Sequence, residues 1–230
     1  LVPGILLNSP TFNQALKANQ VSRTRFYIDT MVGLWVPTVF ILLIAAFTEL
    51  TLEEIGLRWP TFDVHVLGSV ATYTALGITL GYLFILLYYF IGYRYSEKIR
   101  AQLLRAKERE WEKAGFSEIL PTTEKEKRLW NYVSITAGVA EELIYRGFLL
   151  FAIAYLFPQL PIWVVLLLAS VVFGLAHTYQ GVTGVLKTSV VGLIFSILYV
   201  SFGSILPLIV LHFLIDYFAK VGEGAEETTA

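Results

Sequence analysis

Residues 68–93 read GSVATYTALGITLGYLFILLYYFIGY, and residues 64–93 as a whole carry no formal charge. A helix needs about 20 apolar residues to cross roughly 30 Å of hydrocarbon, and this run is long enough. A second run, MVGLWVPTVFILLIAAF at 31–47, lies in the uncharged stretch 30–48. Working outward, the composition agrees. Of 230 residues, 56% are hydrophobic and 15% charged, and mean hydropathy is +0.66. Ordinary soluble domains are less apolar and carry about 25% charged residues. The absence of cysteine excludes a disulfide scaffold. A net charge of −1 leaves no basic field for nucleic acid. The sequence therefore predicts an all-α, polytopic membrane helical bundle.

Segment 94–128 differs from its neighbours. It holds ten of the seventeen Lys and Arg residues. Its stretch EKIRAQLLRAKEREWEKAGF reads as a cytoplasmic or interfacial amphipathic helix, with Leu103, Leu104 and Trp111 as apolar contacts. Beyond it the chain is apolar almost to its end. Spans are expected at about 130–157, 162–178, 183–201 and 205–219, with breaks at Phe157-Pro158-Gln159-Leu160-Pro161, Tyr179-Gln180-Gly181 and Gly203-Ser204. That makes about six transmembrane helices.

Basic residues set the expected orientation. Lys17, Arg23 and Arg25 precede span one, and the 94–128 segment follows span two. The loop TELTLEEIGLRWPTFD at 48–63 holds four acids and only Arg58. Both termini are therefore expected in the cytoplasm. The expected organisation is an N-terminal region 1–125 with two spans and the basic segment, a core 126–220, and an acidic tail 221–230 that frays.

A charge in mid-membrane is costly, so those present mark function. Span three carries AEELIYR at 140–146, span four ends FGLAH at 173–177, and span six carries LHFLID at 211–216. At 1.5 Å per residue, Glu141 lies roughly 13 Å from the cytoplasmic start of its span, and His212 roughly 12 Å from the end of its own. With His177 and Asp216 they fall in one half of the bilayer, where a shared water-filled cavity would tolerate them. Glu142 and Arg146, four apart, can pair on one face, with Glu141 turned about 100° away. His212 and Asp216 share a face by the same spacing. So do Phe173 and His177, which makes Phe173 a candidate wall of a substrate pocket.

A carboxylate beside an imidazole can hold and deprotonate water. A second His and a polar partner can stabilise the oxyanion formed at an amide carbonyl. No Ser or Thr lies in a nucleophile motif, and there is no HExxH. Glu141, His177, His212 and Asp216 also suit a divalent metal such as zinc. Sequence does not separate a metal-held water from one held by Glu and His alone.

At these residues the chain resembles a known family. EELIYRGFLL at 141–150 matches EExxxR, the first signature of the type II CAAX prenyl protease (CAAX protease and bacteriocin-processing) family. FGLAH at 173–177 matches its FxxxH, and GSILPLIVLHFLID at 203–216 looks like its Gly-Ser turn, Pro and HxxxN. The resemblance covers about residues 126–220. It implies a membrane-embedded endopeptidase acting on peptide or protein substrates, prenylated in some relatives, in contact with membrane lipid. Glu141 would activate water with His177, Glu142 and Arg146 would shape the site, and His212 would donate to the oxyanion with the residue at 216. Here 216 is Asp rather than Asn, and an ionised Asp only accepts hydrogen bonds. Two rival readings stand beside this one: a non-catalytic binding, immunity or regulatory protein on the same fold, and an ion or proton transporter. Against transport, no ionisable residue is placed in the outer half of spans three to six.

Overall fold

Uncharged runs become helices because, in hydrocarbon, a helix satisfies its own backbone polar groups. The computed structural model describes residues 22–114 and 120–220. Among them there is no strand. Helix α1 is Arg23–Phe47, α2 is Ser69–Tyr95 and α3 is Glu97–Ala114. After the break come α4 (Glu124–Glu141), a π-helical stretch Glu142–Leu149 and α5 (Leu150–Leu156), which follow one another without a turn. Then come α6 (Ile162–Leu175), a 3₁₀ turn Thr178–Gln180, α7 (Gly181–Phe202) and α8 (Leu206–Ala219). The protein is an all-α membrane helical bundle. Lys17, the acidic tail and the Trp111 side chain lie outside the described residues. Leu103 and Leu104 on α3 are half-buried.

Among the described residues, three helices are long and apolar enough to cross a membrane: α1, α2, and Thr178–Phe202. Helices α6 and α8 are apolar but have 14 residues each, about 21 Å at 1.5 Å per residue. Helix α6 stops short of its expected span, whereas α8 fills the expected 205–219 to within one residue. Helix α6 gives way to a turn at Ala176-His177. Helix α8 can begin only after Gly203, whose φ of 58° ends α7 in the left-handed region, and Pro207 stands in its first turn. The third apolar segment instead starts early, at Glu124. Thr123 accepts from the Glu126 N–H while the Glu126 carboxylate returns to the Thr123 N–H, a reciprocal cap.

Exposed apolar side chains ring the outside, including Val32, Val36, Phe40 and Phe47 on α1 and Val70, Phe84 and Ile85 on α2. A water-soluble monomer does not expose so continuous a surface. Inside, the main core joins α2, α5, α6, α7 and α8 through Ala75, Leu150, Leu166, Phe195, Leu198 and Leu208. A smaller cluster of Ile41, Ile55, Leu143 and Ile205 lies beside α1.

Small residues set the closest approaches. A Cβ on Gly174 of α6 would collide with the Ser189 side chain and stand 2.7 Å from the Val185 carbonyl on α7. The loop 48–68 also enters the packing. Ile55 is buried, and its carbonyl would stand 2.6 Å from a Cβ at Gly147. Arg58 Nε donates to the Gly203 carbonyl at 2.6 Å, and Ser204 Oγ donates to the Arg58 carbonyl at 2.6 Å. This loop thus clamps the α7–α8 turn at one end of the bundle. At the other end, Phe90 of α2 meets Phe218 of α8, ring centroids 5.1 Å apart, and Trp130 Nε1 donates to the Asp216 carbonyl at 2.9 Å.

Candidate active site

The polar residues singled out in three separate segments meet in space. Glu141 ends α4 and Glu142 opens the π-helical stretch, which also carries Arg146. The π-helix is wider than the α-helix and occurs mostly as short insertions, frequently at functional sites. Arg146 Nη1 donates to Glu142 Oε1 at 2.9 Å, with side chains 1% and 0% exposed. The guanidinium lies 4.1 Å from the centroid of Phe173 and 5.0 Å from that of Phe195, a sandwich that holds a desolvated cation against two aromatic faces.

Phe173 is buried. Its ring supports Arg146, meets Tyr145 edge-on at 4.9 Å and meets the His177 ring at 4.7 Å.

His177 is not on a regular helix, as its spacing from Phe173 had suggested. It precedes the 3₁₀ turn, with φ −102° and ψ 24°. The end of α6 leaves the Phe173 carbonyl available, and His177 Nδ1 reaches it at 2.9 Å. A carbonyl only accepts, so this bond puts the proton on Nδ1 and leaves the Nε2 lone pair free. That nitrogen stands 3.8 Å from Glu141 Oε2.

His212, on α8, uses both sides of its ring. Nδ1 donates to Glu142 Oε1 at 2.7 Å. Nε2 lies 3.8 Å from Glu141 Oε2 and 3.7 Å from Asp216 Oδ2. The Phe195 ring packs against it edge-on, centroids 5.9 Å apart. Glu142 therefore serves two partners at once, Arg146 and His212. Sequence spacing gave only the first, because helical periodicity says nothing of contacts between helices.

Glu141, His177 and His212 are 13%, 15% and 12% exposed, and Asp216 is 31% exposed. Glu141 Oε2 is buried and has no hydrogen-bond partner. Its two separations of 3.8 Å are too long for direct hydrogen bonds, yet a water about 2.8 Å from each group fits between them. Among the described residues, no group of three or more His, Asp or Glu is arranged to hold a metal ion.

Sequence reading missed Trp130, Phe195 and the loop 48–68. The Thr123…Glu126 spacing was a legible helix start. The aromatic supports had no signal beyond being aromatic.

Residues 127–218 match the family model described as type II CAAX prenyl endopeptidase Rce1-like. No curated protein and no solved structure matches the chain. The matched segment contains all three motifs and every residue of the cluster, so over residues 127–218 this membrane protein is similar to the type II CAAX prenyl endopeptidases.

Proposed function

We propose that this chain is an intramembrane endopeptidase that hydrolyses peptide bonds of membrane-associated proteins or peptides, with a water molecule as nucleophile. One observation carries the reading: a buried, unpartnered Glu141 oxygen one water away from two imidazole nitrogens. The match of residues 127–218 to the type II CAAX prenyl endopeptidase family model supports it.

The chemistry follows from the donors and acceptors. Water between Glu141 and His177 meets two acceptors, the Glu141 carboxylate and the His177 Nε2 lone pair. Both its hydrogens are then directed away from the scissile carbonyl, and an oxygen lone pair faces the carbon. As the C–O bond forms, Glu141 takes the proton. The negative charge moves to the carbonyl oxygen, which His212 Nε2–H stabilises when both nitrogens of that ring are protonated. The C–N bond then breaks, and Glu141 returns its proton to the leaving amine. Glu142 fixes the His212 ring through Nδ1, and Arg146 holds Glu142 in place. Phe173 supports both Arg146 and His177.

The same proposal includes topology. Six crossings with both termini in the cytoplasm put the cluster in the cytoplasmic half of the bilayer. In support, the basic 94–128 segment joins the bundle at the Phe90–Phe218 end, the end nearest Asp216. The deciding experiment is cleavage of a peptide panel by purified protein, with and without chelator, beside the Glu141→Gln variant. Hydrolysis that survives chelation and vanishes in the variant supports the reading. Equal hydrolysis by the variant would sink it.

A further inference from the structure

Asp216 has a different environment from the rest of the cluster. Its carboxylate makes no side-chain hydrogen bond among the described residues; its nearest partner is His212 Nε2 at 3.7 Å. It is the most exposed member, at 31%. Nearby cations are already engaged. Arg146 is sealed against Glu142, and Lys220, one turn beyond, donates to Asn131 and lies over the Tyr217 ring.

The charge count is one-sided. Glu141, Glu142 and Asp216 supply three carboxylates against one guanidinium. His177 donates Nδ1 to a carbonyl and adds no charge in its neutral form. Even with His212 charged, one negative charge is left over, and the open position for it is Asp216. A second observation also points to an absent ligand charge. Glu142 is 0% exposed, holds the His212 ring through one oxygen and leaves the other without a partner. Glu141 Oε2 is buried without a donor as well, so two unpartnered carboxylate oxygens face one unpartnered guanidinium nitrogen, Arg146 Nη2.

Resting on the proposed hydrolase reading, we infer that Asp216 makes this site select substrates with a cationic group, a Lys or Arg side chain or an amine, within two residues of the scissile bond. A neutral amide at 216 would lack this preference. A free carboxylate at the same place on the substrate is repelled.

The test uses the full-length protein in lipid nanodiscs and internally quenched peptides that differ at one position. Lys, Gln and Glu are scanned through three residues on each side of the bond. Wild type is expected to favour Lys over Glu at one position by about tenfold in kcat/KM, with the ratio shrinking as salt rises. Asp216→Asn should bring that ratio close to one. A parallel arm measures binding of the same Lys and Glu peptides to Glu141→Gln protein, with and without Asp216→Asn. A Lys preference in binding that Asp216→Asn removes supports the inference even if no peptide is hydrolysed, an outcome that would sink the hydrolase reading alone. Equal binding of Lys and Glu peptides, or a preference that survives Asp216→Asn, overturns it.

Discussion

At the scale of single residues, the site is built on unequal demands placed on neighbouring carboxylates. Glu142 is fully buried and hydrogen-bonded to two cation-capable groups, whereas Glu141 keeps a free oxygen aimed between two imidazoles. Substitutions should separate the two roles. Glu141→Gln keeps volume and is expected to lower hydrolysis by about 10²-fold or more while the thermal unfolding midpoint stays near wild type. Glu142→Ala and Arg146→Ala each strand a buried partner and should destabilise the fold by about 3–5 kcal/mol. Unfolding in detergent reads this directly, and near-normal stability of either variant would show that the pair is not sealed from water. His177→Ala removes the acceptor and the cap on the Phe173 carbonyl, so activity should vanish with a modest loss of stability.

Element-scale behaviour depends on where helices start, stop and touch. The cap at Thr123 begins α4, and Thr123→Ala should cost about 1 kcal/mol. Its partner Glu126 is opposed by burial, which raises its pKa, but the Thr123 and Thr122 N–H groups and the Thr122 hydroxyl hold it below the ordinary 4.5. A depressed carboxylate stabilises the fold above its unfolded value. That contribution fades as pH falls below about 4.5 and is gone below the folded value. A pH titration of unfolding should therefore show a smaller acid-side decline in Glu126→Gln than in wild type. Where α6 meets α7, Gly174→Ala presses on Ser189 and on the Val185 carbonyl. Overpacking of this kind costs about 1–3 kcal/mol. Because Phe173 is adjacent, the same change should shift the carbonyl that holds His177 and lower activity. Gly174→Ala with full activity would show that the helices separate freely.

At the scale of the whole molecule, the bundle has two unlike ends. One is closed by the loop 48–68, through Arg58, Ser204 and Ile55. The other carries the cluster and the junction with α3. Since the chain has no cysteine, single-cysteine labelling has no background. Glu53→Cys in the loop and Gln102→Cys on α3 are both exposed positions. With an impermeant maleimide on intact cells, Glu53→Cys should label and Gln102→Cys only after lysis. The opposite pattern would invert the proposed topology.

The sequence by itself determined the medium and which polar residues stand out in it. Uncharged runs of 20 residues or more demand a membrane. Glu141, Glu142, Arg146, His177, His212 and Asp216 were legible because charge in hydrocarbon is costly enough to be conspicuous. Pairing of Glu142 with Arg146 was legible too, since i,i+4 neighbours are fixed by helix geometry. Only the tertiary structure decided that Glu142 also holds His212, that His177 sits in a turn with Nδ1 on the Phe173 carbonyl, and that Phe173 and Phe195 enclose Arg146. It also turned an acidic loop into a clamp. These are contacts between segments far apart in the chain. Periodicity describes the face of one helix, and which faces meet depends on packing volumes and crossings that no local pattern encodes.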